Sequence, residues 1–158
     1  MILTAFTKED YLLLLRWIDS PALNVLWGGP TYRFPLTAEQ IAAHCAQPQV
    51  HPWVLQVDGA AAGFIELVEV EPHHCRLCRV FIAPDQRGKG LAKPMLQLAM
   101  RHAEQTFACT RFTLAVFEHN AAARACYQSL GFTITSREPA SMTVAGERWD
   151  LLRMTRSL

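Results

Sequence analysis

Asp85-Gln86-Arg87-Gly88-Lys89-Gly90-Leu91-Ala92 lies between a run that reads as a strand, residues 75–82, and one that reads as a helix, residues 91–102. Glycines at 88 and 90 let the backbone come close to a ligand. Successive N–H groups at a helix start face an anion there, and the helix dipole favours negative charge. Arg87 and Lys89 add two cations, so the segment reads as a pyrophosphate cradle. It is not a Walker A loop, because Lys89 is followed by Gly90 where Ser or Thr is required. Nor is it G-x-G-x-x-G, because Lys93 stands in place of the third glycine. The plain structural alternative is a glycine-rich turn with two solvated cations, and the surrounding chain has to decide.

Upstream of the loop the texture is that of short strands. Residues 53–57, a turn at Asp58-Gly59, residues 61–70, a turn over 71–74 and residues 75–82 predict an antiparallel meander. Residues 2–6 read as a further strand. Thr7 with Asp10 three residues on marks a helix start, and Tyr11, Leu14, Leu15 and Ile18 fall at helical spacing up to a stop at Ser20-Pro21. Residues 24–35 carry Gly28, Gly29, Pro30 and Pro35 among Trp27, Tyr32 and Phe34, which predicts an aromatic loop that lines a pocket or packs on the core. A second helix follows over 38–45, capped by Thr37. Downstream, 111–117 reads as a strand, 121–130 as a helix, and 132–136 and 148–155 as closing strands. The order is mixed, an α+β sheet protein with crossover helices.

The 158 residues, without repeat or linker, predict a single domain over 1–158. Hydrophobic residues are 51% and charged residues 18%, a globular balance. A net charge of +1 gives no field to hold a polyanion or an acidic membrane, so neither nucleic acid nor membrane is expected as a partner. The longest aliphatic run, Leu12 to Leu15, is far too short to cross a bilayer, and acidic Glu9 and Asp10 precede it where a signal peptide would be basic. A soluble, cytoplasmic protein is expected. The five cysteines fit a reduced interior. His73-His74-Cys75-Arg76-Leu77-Cys78 suggests zinc, but on a strand Cys75 and Cys78 point to opposite faces, and no metal is expected.

The second chemical signal is the stretch from Asn120 to Phe132. Asn120 is a natural N-cap and Gly131 a natural terminator, and Asn120, Ala123 and Tyr127 share one helix face beside which a thin ligand fits. A phenol near pKa ~10 stays protonated at neutral pH and can donate to a leaving thiolate of pKa ~8.5. A capping asparagine and a core tyrosine would explain the same residues.

With the two motifs in this order, separated by a helix and a strand, the chain resembles the GNAT superfamily of acetyl-CoA-dependent N-acetyltransferases. Arg87 to Ala92 matches [RQ]-x-x-G-x-[GA], and Asn120 to Phe132 matches N-x-x-A-x-x-x-Y-x-x-x-G-F. The resemblance is specific over residues 75–132 and a matter of element order elsewhere. It implies a mostly antiparallel twisted sheet of six to seven strands, split in a V between strands 4 and 5, with about four flanking helices. It implies that the amides of Arg87, Gly88, Lys89, Gly90, Leu91 and Ala92 hold the coenzyme pyrophosphate, that Phe81 and Ile82 pair with the pantetheine amides, that Asn120 contacts the pantetheine arm, and that Tyr127 is the general acid. The cosubstrate is then acetyl-CoA, and a neutral amine attacks the thioester directly. The acceptor, a protein N-terminus or lysine or a small-molecule amine, stays open. Dimers are common in the family, so a homodimer is also open.

Two departures bear on this resemblance. Pro94 early in the helix predicts an irregular helix start. Ala115 stands where family members that act on protein N-termini carry a glutamate base. Glu66, Glu69, His74, Glu118 and His119 remain candidate bases. With a turn over 71–74, Glu66 falls opposite Arg79 and Glu69 opposite Arg76, which gives both glutamates a structural role as charge pairs. An acyl-CoA sensor without turnover is the competing reading, favoured by the missing base and opposed by the presence of both Asn120 and Tyr127.

Overall fold

Residues Phe64, Ile65, Glu66 and Leu67 are buried on both faces of one strand, and the molecule is layered around them. The computed structural model describes residues 1–157. In chain order the elements are β1 (Ile2–Ala5), α1 (Tyr11–Trp17), α2 (Pro21–Gly28), α3 (Ala38–Cys45), β2 (Val50–Val57), β3 (Ala60–Glu71), β4 (His74–Ile82), α4 (Ala92–Phe107), β5 (Arg111–Phe117), α5 (Ala121–Ser129), β6 (Thr133–Val144) and β7 (Glu147–Ser157). The seven strands form one sheet in the order β1-β2-β3-β4-β5-β7-β6. Every neighbouring pair is antiparallel except β4 and β5.

Alternation along the strands sends side chains to two cores. Ile65, Leu67, Leu77, Leu114 and Met154 meet the apolar face of α4 (Met95, Leu96, Ala99, Met100, Ala103) and Tyr127 of α5. Val54, Phe64 and Phe81 on the other face meet Leu14, Ile18, Trp27 and Ile41 from α1, α2 and α3. No helix among the described residues is long and apolar enough to cross a membrane.

The parallel contact between β4 and β5 is short: His74, Cys75 and Arg76 pair with Arg111, Phe112 and Thr113, and beyond that point no pairing continues. The sheet therefore splits in a V between its fourth and fifth strands, as the resemblance implied. Asp58 and Gly59 form the β2–β3 turn with φ of 51° and 78°, the left-handed pair of a tight hairpin. Thr7 N donates to Asp10 Oδ2 at 2.9 Å, and a 3₁₀ turn over Lys8–Asp10 leads into α1.

Several expectations need correction. The described residues hold five α-helices, and residues 24–35 are not all loop: Ser20 Oγ accepts from Leu23 N at 3.1 Å, Pro21 takes the first helical position, and α2 runs on to Gly28. A proline that stops one helix equally starts the next. Of the three aromatics here, Trp27 and Tyr32 are buried and stacked 5.6 Å apart, whereas Phe34 is exposed. Pro94 falls in the first turn of a regular α4, which runs to Phe107 rather than stopping at 102, and Met95 N already bonds to Leu91 O at 3.1 Å. The closing strands are longer than expected and meet at an Ala145-Gly146 turn.

The register of β3 on β4 also differs. Glu66 lies opposite Cys78 and Glu69 opposite Cys75, not Arg79 and Arg76. An irregularity between Glu69 and Glu71 shifts the pairing by one residue, and a bulge in β4 after Cys78 shifts it back, so that Phe64 meets Phe81. Glu69 is instead bonded to His51 at 2.7 Å. Cys75 is in the core, whereas Cys78 faces the split.

Past the bulge the two strands pack closely. A Cβ on Gly63 would stand 2.8 Å from Phe81 O and 3.1 Å from Met95 Sδ. Gly63→Ala is expected to lower stability by about 1–3 kcal/mol, read by urea denaturation, because neither backbone nor core has room to give.

Candidate functional site

At the mouth of the split, β4 ends at Ile82, a 3₁₀ turn covers Pro84–Gln86, and the loop reaches α4 through Gly88 and Gly90 with φ of 78° and 68°. A Cβ at either glycine would meet nothing within 4 Å, so it is the left-handed backbone and not crowding that calls for glycine. The Arg87 Nε donates to Ile82 O at 3.3 Å and its guanidinium lies 5.2 Å from the Phe81 ring centre. Lys89 Nζ donates to Gln86 Oε1 at 3.2 Å. No side chain caps α4, whose N-cap is Leu91, so its first amides remain available to an anion.

From the loop a cleft of about 680 Å³ runs between the diverging strands. Cys78 to Ile82 of β4 form one wall and Ala115 to Phe117 of β5 the other, with α5 behind and residues 27–31 in front. Asn120, Ala123 and Tyr127 all line it, as the helical spacing predicts. The Asn120 Oδ1 also accepts from Ala123 N at 3.5 Å, so capping and cleft lining coexist. Tyr127 is 7% exposed, with its ring 6.3 Å edge-on from Phe132. Burial, with smaller contributions from Cys126 and Cys78, raises its phenol pKa above the ordinary value. Burial also pushes the Cys78 thiol up to about 11.

The front wall is tied to β4 through the bulge. Arg79 has φ of 50°, its carbonyl accepts from Trp27 Nε1 at 2.9 Å, and its Nη1 donates to Thr31 Oγ1 at 3.1 Å. Its Nε donates to the carboxylate of Glu66, which is fully buried and has His44 Nε2 at 3.1 Å on the other side. Burial opposes the charge on Arg79, but Glu66 and Cys78 outweigh it, and the guanidinium pKa is raised. Glu66 thus pairs with Arg79 after all, across a bulge rather than in register.

None of the five candidate bases lines the cleft. Glu66 is sealed beneath Arg79, Glu69 is bound to His51, and His74 Nε2 lies 2.8 Å from Thr113 Oγ1 at the base of the split. Glu118 bonds to Arg137, and His119 packs between Trp149, at a tilt with ring centres 4.5 Å apart, and the stacked ring of Phe117. The charged lining is Arg76, Arg79, Arg87 and Arg153, with no carboxylate among the described residues. Of these four, only Arg87 belongs to a sequence motif. The local signal for two more was a pair of arginines inside an otherwise apolar strand, Arg76 and Arg79.

The family model for the acetyltransferase (GNAT) family matches residues 14–132. Over 103 residues the chain is 31% identical to spermidine N(1)-acetyltransferase of Escherichia coli (strain K12), an alignment that covers 65% of this chain and 55% of that protein. The chain thus spans about half the length of that relative. It is 41% identical over 56 residues to the spermine/spermidine N(1)-acetyltransferase of Bacillus subtilis (strain 168), covering 35% and 37% of the two chains. Among solved structures, the spermidine N-acetyltransferase from Vibrio cholerae in complex with CoA and spermine superposes with a TM-score of 0.85 at 18% identity, over 98% of this chain and 94% of that one. The ribosomal-protein-alanine N-acetyltransferase from Brucella melitensis superposes with 0.77 at 20% identity over the whole of both chains. At these identities the superpositions establish a shared fold.

Removing one member of a buried ion pair leaves the other charge without compensation. Glu66→Ala is expected to cost about 3–5 kcal/mol in chemical denaturation. Glu69→Ala, which breaks a half-exposed pair, is expected to cost less than about 1 kcal/mol.

Proposed function

This chain belongs to the acetyltransferase (GNAT) family, and we propose that it transfers an acetyl group from acetyl-CoA to a primary amine. The observation that carries this reading is the continuity of one groove from the uncapped start of α4, along the unpaired edge of β4, to Tyr127. A long, thin ligand with a pyrophosphate at one end and a thioester at the other fits that order of features. The amides of Arg87 to Ala92 take the pyrophosphate. The main chain of Phe81 and Ile82, which β5 leaves unpaired, bonds the pantetheine amides, and Asn120 faces the same arm.

The reaction proceeds by direct attack with both substrates bound. The amine nitrogen adds to the thioester carbonyl carbon, whose oxygen is polarised by main-chain N–H of β4, in the manner of an oxyanion hole. The C–N bond forms, the C–S bond breaks, and sulfur leaves with the electron pair. Tyr127 donates its proton to that thiolate and recovers one from water, while the nitrogen loses its surplus proton to solvent. The raised phenol pKa keeps the donor protonated throughout the working range. No covalent acetyl-enzyme is required, and the protonated Cys78 thiol is a poor nucleophile at neutral pH.

The absence, among the described residues, of any carboxylate, histidine or lysine from the cleft lining is the observation that favours an acyl-CoA sensor without turnover. One experiment separates the two readings: thiol release from acetyl-CoA over an amine panel, with coenzyme affinity measured in parallel. Tyr127→Phe is expected to lower kcat by about 10²-fold while coenzyme affinity changes little. The rate should climb with pH up to the pKa of the acceptor amine, because no enzyme base supplies an earlier plateau. Coenzyme binding with no thiol release from any amine would select the sensor. Unchanged kcat in Tyr127→Phe would remove tyrosine from the reaction.

A further inference from the structure

The acceptor end of the cleft has a charge pattern that the acetyl-transfer reading does not explain. Of its four arginines, Arg87 belongs to the coenzyme end and Arg79 is neutralised by Glu66. The other two, Arg76 and Arg153, stand on the two sides of the V: Arg76 on β4 where it last pairs with Thr113 of β5, and Arg153 on β7 opposite Ala115. Both also line a second hollow of about 200 Å³ that contains Thr113 and Thr155, so they form the partition between the two cavities. Among the described residues no carboxylate lies within ion-pair distance of Arg76. Arg153 is ion-paired with Glu138 (Nε to Oε1 2.7 Å), but this pair is half-exposed, unlike the buried Arg79–Glu66 pair, and leaves the remaining guanidinium N–H groups for another acceptor.

A polyamine brings several ammonium groups into a cleft that offers them guanidiniums and no carboxylate. Those ammonium groups meet repulsion at Arg76 and Arg87, which no carboxylate offsets among the described residues. An anion, by contrast, finds two guanidiniums that can each bond it in a fork. The same two cations disfavour a proton on a nearby amine, so they raise the share of free amine in a site that lacks a base.

Building on the acetyl-transfer reading, we propose that the acceptor is a small primary amine that carries a carboxylate, an amino acid or short peptide, with that carboxylate held between Arg76 and Arg153. The specificity is then opposite in charge to that named for the polyamine-acetylating relatives. It is written in residues of β4 and β7 and not in the coenzyme motifs.

The test is thiol release from acetyl-CoA by the whole chain with free amino acids and dipeptides, with their C-terminal amides, and with spermidine. The best carboxylate is expected to exceed both its amide and spermidine by tenfold or more in kcat/KM. Arg76→Gln and Arg153→Gln should each cut the carboxylate-to-amide ratio by about tenfold, the loss of one charge-assisted contact, with Arg→Lys at the same positions restoring part of it. Equal rates for carboxylates and amides, or spermidine as the best acceptor, would overturn the assignment while leaving acetyl transfer in place. Thiol release from no acceptor overturns it as well, and acetyl-CoA binding then shows whether the coenzyme site falls with it.

Discussion

The buried pair of Glu66 and Arg79 fixes the point at which β4 stops following its neighbours. Arg79 is the residue with positive φ in the bulge, and three contacts hold it there: its Nε to Glu66, its Nη1 to Thr31, and its carbonyl to Trp27. Glu66 in turn has His44 of α3 beside it. The pair therefore ties the strands to two helices of the front layer, to α3 through His44 on the Glu66 carboxylate and to α2 through Trp27 on the Arg79 carbonyl. A buried charge without its partner is costly, so the pair specifies this arrangement more than it adds net stability.

The site follows from that constraint. The bulge adds a residue to β4 just as the strand separates from β5, and the groove opens over the residues that no longer pair. On one face α4 packs against the sheet with Met95, Leu96 and Ala99, which sets its N-terminus beside the end of β4. On the other, Trp27 is both a core residue and a hydrogen-bond donor to the bulge, so the front wall of the cleft is held by the same layer that buries Phe64. Tyr127 belongs to the core and to the cleft at once, which explains its low exposure and its raised phenol pKa.

What could be read beforehand was local in the chain. Gly88 and Gly90 supply left-handed backbone next to a helix start, and Asn120, Ala123 and Tyr127 repeat at helical spacing, so both motifs are visible within a dozen residues. The strands of the meander and the tight turn at Asp58-Gly59 are equally local. The rest needed information from across the sheet. Alternation does not encode a bulge, and two compensating shifts moved Glu66 and Glu69 off the partners that simple counting gives them. Burial of Glu66 depends on Arg79 and His44 arriving from other elements. Pro21 has one meaning at the end of α1 and another at the start of α2, and only the Ser20 cap decides. Pro139 and its polar neighbours hid the length of β6, and Arg153 comes to the cleft only through β7 pairing with β5.

Calorimetric titration of the purified protein with acetyl-CoA, coenzyme A and ATP decides whether the groove between β4 and β5 takes coenzyme A from the start of α4. Micromolar affinity for both coenzyme forms and none for ATP is expected, since the pantetheine arm along β4 adds what a phosphate cradle alone does not. Failure of both coenzyme forms to bind would contradict it, and residues 87–92 would then be an ordinary turn.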